Sequence, residues 1–121
     1  MKLRIQGDSL RFRLTQPEVE NLSELRRITS EINFPNGSKL SYTLKTADEF
    51  HCSFDDNQIV VTIPTDDINT WAESDQVGIS QDIELQNKLI LLILVEKDFK
   101  CLTRSSDEER DMYPNPKTSH L

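Results

Sequence analysis

An α+β fold dominated by antiparallel strands is what this sequence predicts. About seven or eight strands would form a curved sheet or a partly closed barrel, with two short helices covering a face or plugging an end. Three observations lead there. Short stretches of alternating apolar and polar residues recur along the chain, separated by clusters of Gly, Asn, Asp and Pro. Two other segments space their apolar residues three or four apart behind residues suited to helix starts. One run, Leu89 to Val95, is apolar on both faces, so it belongs in the middle of the sheet with cover on each side.

The elements follow in order. Leu3 and Ile5 alternate with Lys2 and Arg4, and Leu10, Phe12 and Leu14 alternate with Arg11 and Arg13. Gly7-Asp8 between them suits a two-residue type II′ turn. That turn pairs Ile5 with Leu10, Leu3 with Phe12, Arg4 with Arg11 and Lys2 with Arg13, so the apolar residues share one face and the basic ones the other. Thr15 and Glu18 have capping-box spacing, Pro17 is tolerated in a first turn, and Val19 and Leu22 would face the core. Ile28, Ile32 and Phe34 share one parity, Pro35-Asn36-Gly37 turns the chain, and Leu40, Tyr42 and Leu44 share the next. Phe50, Cys52 and Phe54 form a second hairpin with Ile59, Val61 and Ile63 through Asp55-Asp56-Asn57, and Pro64 ends it. Residues Thr65 to Ser74 read as a helix capped by Thr65, with Asp66 and Asp67 in its first turn and a stripe of Ile68, Trp71 and Ala72. Val77, Ile79, Ile83 and Leu85 alternate again, and Gly78 among them hints at a bulge or a close backbone approach. Gln86-Asn87 turns into the last strand. No internal repeat is legible.

At 121 residues the chain fits one domain, and its 36% apolar share is low enough that part of it should lie outside the core. We place a β-rich domain at 1–104 and an acidic, Pro-containing tail at 105–121, where Asp107, Glu108, Glu109 and Asp111 cluster ahead of Tyr113-Pro114-Asn115-Pro116. That tail should add little to stability. No apolar run approaches the ~20 residues that span a bilayer, and the N-terminus lacks the apolar stretch of a signal peptide, which points to a cytoplasmic protein with no membrane partner. Cys52 and Cys101 are then expected to be buried free thiols. The net charge of −7 makes general binding of nucleic acid an unlikely role.

The chain has no Walker loop, G-x-G-x-x-G, G-x-S-x-G, H-E-x-x-H or C-x-x-C motif, so no catalytic, metal or cofactor site is assigned. His51 and Cys52 are adjacent, but neighbours in a strand point to opposite faces and cannot readily chelate one ion. Asp66 and Asp67 read as helix-start carboxylates, Asp55 and Asp56 as turn residues, and Trp71 as core. The candidate site is Lys2, Arg4, Arg11 and Arg13. Like charges directly across a hairpin are destabilising unless something negative lies nearby, and without these four the chain has 10 basic residues against 21 acidic ones. Carboxylates on neighbouring strands or water would account for the face. An anion held there, from an acidic protein partner or the chain's own C-terminal tail, is the functional alternative.

Several phrases together are distinctive: Lys2-Leu3-Arg4-Ile5, Gly7-Asp8-Ser9-Leu10-Arg11-Phe12-Arg13-Leu14, Trp71 with Ser74-Asp75-Gln76-Val77-Gly78, Leu94 to Leu102, and Pro114-Asn115-Pro116. On these the chain resembles, over most of its length, a family of small bacterial proteins of about this size with no assigned function. The Gly7-Asp8-Ser9 hairpin with its basic flanks also resembles the N-terminal hairpin of swapped-hairpin antitoxins that bind DNA as dimers. That likeness spans about a dozen residues, and the acidic balance here runs against it. The expected function is a non-enzymatic interaction or accessory module. The alternatives are a small anion or ligand binder using the basic hairpin face, and a DNA-binding antitoxin-like hairpin protein.

Overall fold

The computed structural model describes residues 1–99; the proposed tail and Cys101 lie outside them. Eight strands and two helices follow in the order β1 (Lys2–Ile5), β2 (Ser9–Leu14), α1 (Gln16–Leu25), β3 (Arg27–Asn33), β4 (Lys39–Ala47), β5 (His51–Asp55), β6 (Gln58–Pro64), α2 (Thr65–Glu73), β7 (Gly78–Glu84) and β8 (Ile90–Lys97). A single 3-10 turn at Gln86–Lys88 precedes β8. The fold is therefore α+β and mostly strand.

The first hairpin has the register its alternation requires: Lys2 opposite Arg13, Leu3 opposite Phe12, Arg4 opposite Arg11 and Ile5 opposite Leu10. The positive φ, +54°, falls on Gly7 and not on Asp8, the pattern of a type II′ turn. Leu10, Phe12 and Leu14 are all buried. Helix α1 starts behind Thr15, whose N–H and hydroxyl both donate to the Glu18 carboxylate at 2.9 and 3.0 Å. Val19 and Leu22 are its buried residues.

The sheet differs from expectation. It is neither a single curved sheet nor a partly closed barrel, but two separate four-stranded sheets, ordered β1-β2-β8-β7 and β3-β4-β6-β5. Antiparallel pairing predominates as expected, in four of the six strand pairs, but each sheet is mixed: its outer pairs are antiparallel, while its central pair, β2 with β8 or β4 with β6, runs parallel. Alternation fixes which face of a strand is buried, but it is the same for a parallel and an antiparallel neighbour. Strand β8 is central as expected, with Ile93 and Val95 fully buried. Its outward residues Leu92 and Leu94, however, are only half-buried, so the second face is not covered.

Contrary to the sequence reading, the chain does contain a repeat. Each half reads β-hairpin, helix, β-hairpin. The first half places its opening hairpin in one sheet and its second in the other, and the second half does the reverse. Exchanging β1–β4 with β5–β8 and α1 with α2 reproduces every pairing. Leu10, Phe12, Leu14, Val19 and Leu22 match Ile59, Val61, Ile63, Ile68 and Trp71, each 49 residues further on, and all are buried. Beyond the helices the spacing becomes 51, with Ile28, Ile32, Leu40 and Leu44 matching Ile79, Ile83, Leu91 and Val95. Isolated hydrogen bonds repeat too. The Leu92 N–H donates to the Asp8 carbonyl as Ser41 N–H does to Asn57, and Lys97 N–H donates to Val77 as Thr46 N–H does to Arg26. Between the halves, identical residues are confined to Glu24/Glu73, Ile28/Ile79, Ile32/Ile83, Asn36/Asn87 and Leu40/Leu91. The repeat preserves burial and turn position rather than residue identity, which hides it from sequence.

The inner faces of both sheets and the buried sides of both helices share one core. Each helix follows directly on a central strand and carries the chain to the other sheet, so the helices close the end where β2 and β6 finish. Helix α2 begins differently from expectation. Pro64, not Thr65, is its N-cap, and the Thr65 hydroxyl instead donates to the Ala47 carbonyl at 3.3 Å. Proline fixes the entry φ that a side-chain cap would otherwise help to hold. Gly78 does mark a close approach: a Cβ there would lie 3.0 Å from the Val95 carbonyl oxygen.

Two stability predictions arise here. The buried Thr46 hydroxyl has no hydrogen-bond partner among the described residues. Because an unpaired buried hydroxyl carries an uncompensated desolvation cost, Thr46→Val should raise stability by about 1 kcal/mol in a denaturant titration. Second, burial works against ionisation of Glu18, but the Met1 ammonium and the Thr15 N–H and hydroxyl outweigh it and hold its pKa below the ordinary value. A carboxyl depressed on folding stabilises above its unfolded pKa and loses that contribution as pH falls through its folded value. Glu18→Gln should therefore melt below wild type at pH 7, and the gap in thermal midpoint should close toward pH 3.

Candidate functional site

Among the described residues no group of three or more His, Cys, Asp and Glu side chains could hold a metal ion. His51 is exposed on the outside of its sheet, while Cys52 faces inward and is half-buried. Burial raises the Cys52 pKa, which keeps it a thiol rather than the nucleophilic thiolate at neutral pH. Asp66 and Asp67 stand in the first turn of α2, and Trp71 is fully buried in the core.

The four basic residues share the outer face of the β1-β2-β8-β7 sheet, as the hairpin register demands. Two of them meet carboxylates that the sequence reading did not single out. Arg11 Nε pairs with Glu96 Oε1 on β8, and Lys2 Nζ lies 3.3 Å from Asp98 Oδ2 just beyond it. Arg4 and Arg13 make no ion pair among the described residues. Arg13 is directly opposite Glu96 in the β2–β8 register, yet that carboxylate turns to Arg11. Leu92 and Leu94 point to the same outer face, opposite Ser9 and Arg11.

At the end opposite the helices the sandwich is open. A cleft of about 450 Å³ lies between the sheets, lined chiefly by Ile5, Leu10, Leu40, Phe54, Ile59 and Leu91. These residues form three matched pairs under the repeat: Ile5 with Phe54, Leu10 with Ile59, and Leu40 with Leu91. The cleft therefore straddles the axis that relates the halves. Leu10 and Ile59 form its buried floor, whereas Ile5 and Phe54 remain 60% and 64% exposed although they belong to the inward-facing set. Ile32, Phe34, Leu89 and Ile90, at strand ends on this same side, are about half exposed. Asp8 belongs to the lining, Asp55 ends the neighbouring strand β5, and Asp56 stands in the turn that follows it.

Sequence reasoning missed this cleft because it assigned every inward-facing apolar residue to the core. A signal was present. The turns are each flanked by apolar residues on both sides: Ile5 and Leu10, Phe34 and Leu40, Phe54 and Ile59, Leu85 and Leu89. Strand ends beside solvent loops have no general need for such residues, and their clustering at one end of the molecule marks a surface of the kind that binds partners.

By sequence the chain belongs to a family of unknown function (DUF7009), matching it over residues 1–117. No curated protein and no solved structure matches it significantly. Among the described residues no helix is long and apolar enough to cross a membrane.

Proposed function

We propose that this protein is a non-enzymatic recognition module that grips an apolar segment of a partner protein, flanked by basic residues, in the cleft at the open end of the sandwich. The observation that carries this reading is the exposure of Ile5 and Phe54, two inward-facing residues left uncovered on either side of an apolar floor. Covering them removes apolar surface from water at about 25 cal/mol per Å², or roughly 1–2 kcal/mol for each side chain given its present partial burial. Charge selects the occupant. Asp8, Asp55, Asp56 and Glu84 stand at this end and outnumber its cations, Lys39, which is paired with Glu31 at 3.6 Å, and Lys88 in the β7–β8 turn. A second copy would bring these carboxylates against their own kind, whereas lysines or arginines flanking an apolar core meet opposite charge.

Selection from a displayed random-peptide library on the full-length protein tests this. Apolar residues bracketed by Lys or Arg should be enriched, and Ile5→Ser and Phe54→Ser should each weaken a selected peptide at least tenfold. Enrichment of acid-bracketed peptides, binding indifferent to both substitutions, or no enrichment at all would overturn the proposal. So would self-association of the protein alone, if Phe54→Ser abolished it.

A further inference from the structure

We infer that the outer face of the β1-β2-β8-β7 sheet is a second recognition surface, which takes an acidic segment of a protein partner carrying apolar residues between its carboxylates. The inference is independent of the cleft, because it concerns the opposite side of the sheet.

The repeat supplies an internal control. The two sheets share topology and register, so each position on one outer face has a counterpart on the other. Lys2, Arg4, Arg11 and Arg13 correspond to His51, Ser53, Val60 and Thr62, and Leu92 and Leu94 correspond to Ser41 and Thr43. On the β3-β4-β6-β5 sheet, then, the same backbone is satisfied by one histidine and otherwise by Ser, Thr and Val. Thr29 and Thr43 share a hydrogen bond of 2.8 Å across that face, and Thr43 and Thr62 are buried flat against it. The fold itself asks for neither arginine nor leucine at these positions. Placing both on one sheet puts like charges in direct cross-strand register, at Arg4 opposite Arg11 and Lys2 opposite Arg13, an arrangement that is destabilising by itself.

Glu96 and Asp98 answer two of the four cations. Arg4 and Arg13 keep their planar, two-pronged donors for something else, and carboxylates fit them. Leu92 and Leu94 lie one strand away, half-buried, in reach of an apolar side chain on the same ligand. Arginines beside half-buried aliphatics that keep part of their surface in water are the makings of a protein interface. A nucleic acid fits worse. Away from these four residues the chain has 10 basic against 21 acidic residues, a field that repels a long polyanion far more than a short acidic segment. The chain's own acidic cluster also fits worse, because no apolar residue stands between Asp107, Glu108, Glu109 and Asp111, and Arg110 lies among them.

The test uses the full chain and a fluorescent peptide of alternating Glu and Leu, read by anisotropy, with a Lys-Leu peptide and a DNA duplex as alternatives. Arg4→Ser with Arg13→Thr copies the residues of the other sheet and leaves the Arg11–Glu96 and Lys2–Asp98 pairs in place, so the thermal midpoint should hold. Affinity for the Glu-Leu peptide should fall at least tenfold. Leu94→Thr should weaken it separately without reducing the salt dependence, whereas the double arginine variant should flatten that dependence. Tighter binding of the duplex than of the acidic peptide, or full affinity in the double variant, would overturn the inference. So would tenfold tighter binding after Asp107→Asn, Glu108→Gln and Glu109→Gln in the full chain, which would identify the tail as the occupant. Phe54→Ser should leave this binding intact, so failure here and failure at the cleft are separately visible.

Discussion

Trp71→Ala should destabilise the protein by about 3–5 kcal/mol, the range for truncating a large buried aromatic. The indole is fully buried, and its Nε1–H donates to the Val77 carbonyl at 3.0 Å. Lys97 lies over the ring, its ammonium 5.9 Å from the centroid, and reaches on to the Ser74 carbonyl at 2.7 Å. Truncation thus opens a cavity and removes the indole's tie to the connection between α2 and β7. That connection runs from Ser74 to Val77, where the first half has Arg26 alone between α1 and β3, and it ends on the carbonyl that the indole uses. Leu22 occupies the equivalent place in the first half, so Trp71→Leu should recover part of the loss. Equilibrium unfolding in denaturant measures both. A cost below 1 kcal/mol for the alanine variant would show that the two halves do not share one core.

Ile93→Ala should cost about 2–4 kcal/mol, as expected for a fully buried aliphatic. It sits on a central strand, held between β2 and β7. Leu91→Ala, two residues earlier on the same face, should cost clearly less. Leu91 is only partly buried and borders the open cleft, where water already reaches it. Equal costs at the two positions would mean that the cleft is closed in solution. Hydrogen exchange offers an independent check: amides of β2, β4, β6 and β8, paired on both sides, should exchange more slowly than those of the edge strands β1, β3, β5 and β7.

What was legible in the sequence was local. The Gly7-Asp8 turn fixed a register that the structure keeps residue for residue, because a two-residue loop leaves no slack and a one-residue slip would turn Phe12 to solvent. The capping-box spacing of Thr15 and Glu18 and the stripe of Ile68 and Trp71 located both helices for similar reasons. What was not legible was long-range. Parallel pairing of β2 with β8 joins Ser9 to Leu92, and nothing in either segment encodes its distant neighbour. The repeat escaped because Leu22 and Trp71, or Thr15 and Pro64, do equivalent work with unlike side chains. For the candidate site, charge alternation placed Lys2, Arg4, Arg11 and Arg13 on one face. It could not anticipate that Glu96 and Asp98 would arrive beside two of them from the far end of the chain.

The claim that the open end is the recognition surface is most directly tested by a two-dimensional NMR titration of the full-length protein with a library-selected peptide. The largest shift changes should fall on Ile5, Gly7, Leu40, Cys52, Phe54 and Leu91, residues drawn from both halves around the cleft. Changes confined to the outer faces of the sheets, or to the helix end around Leu25 and Val77, would contradict it.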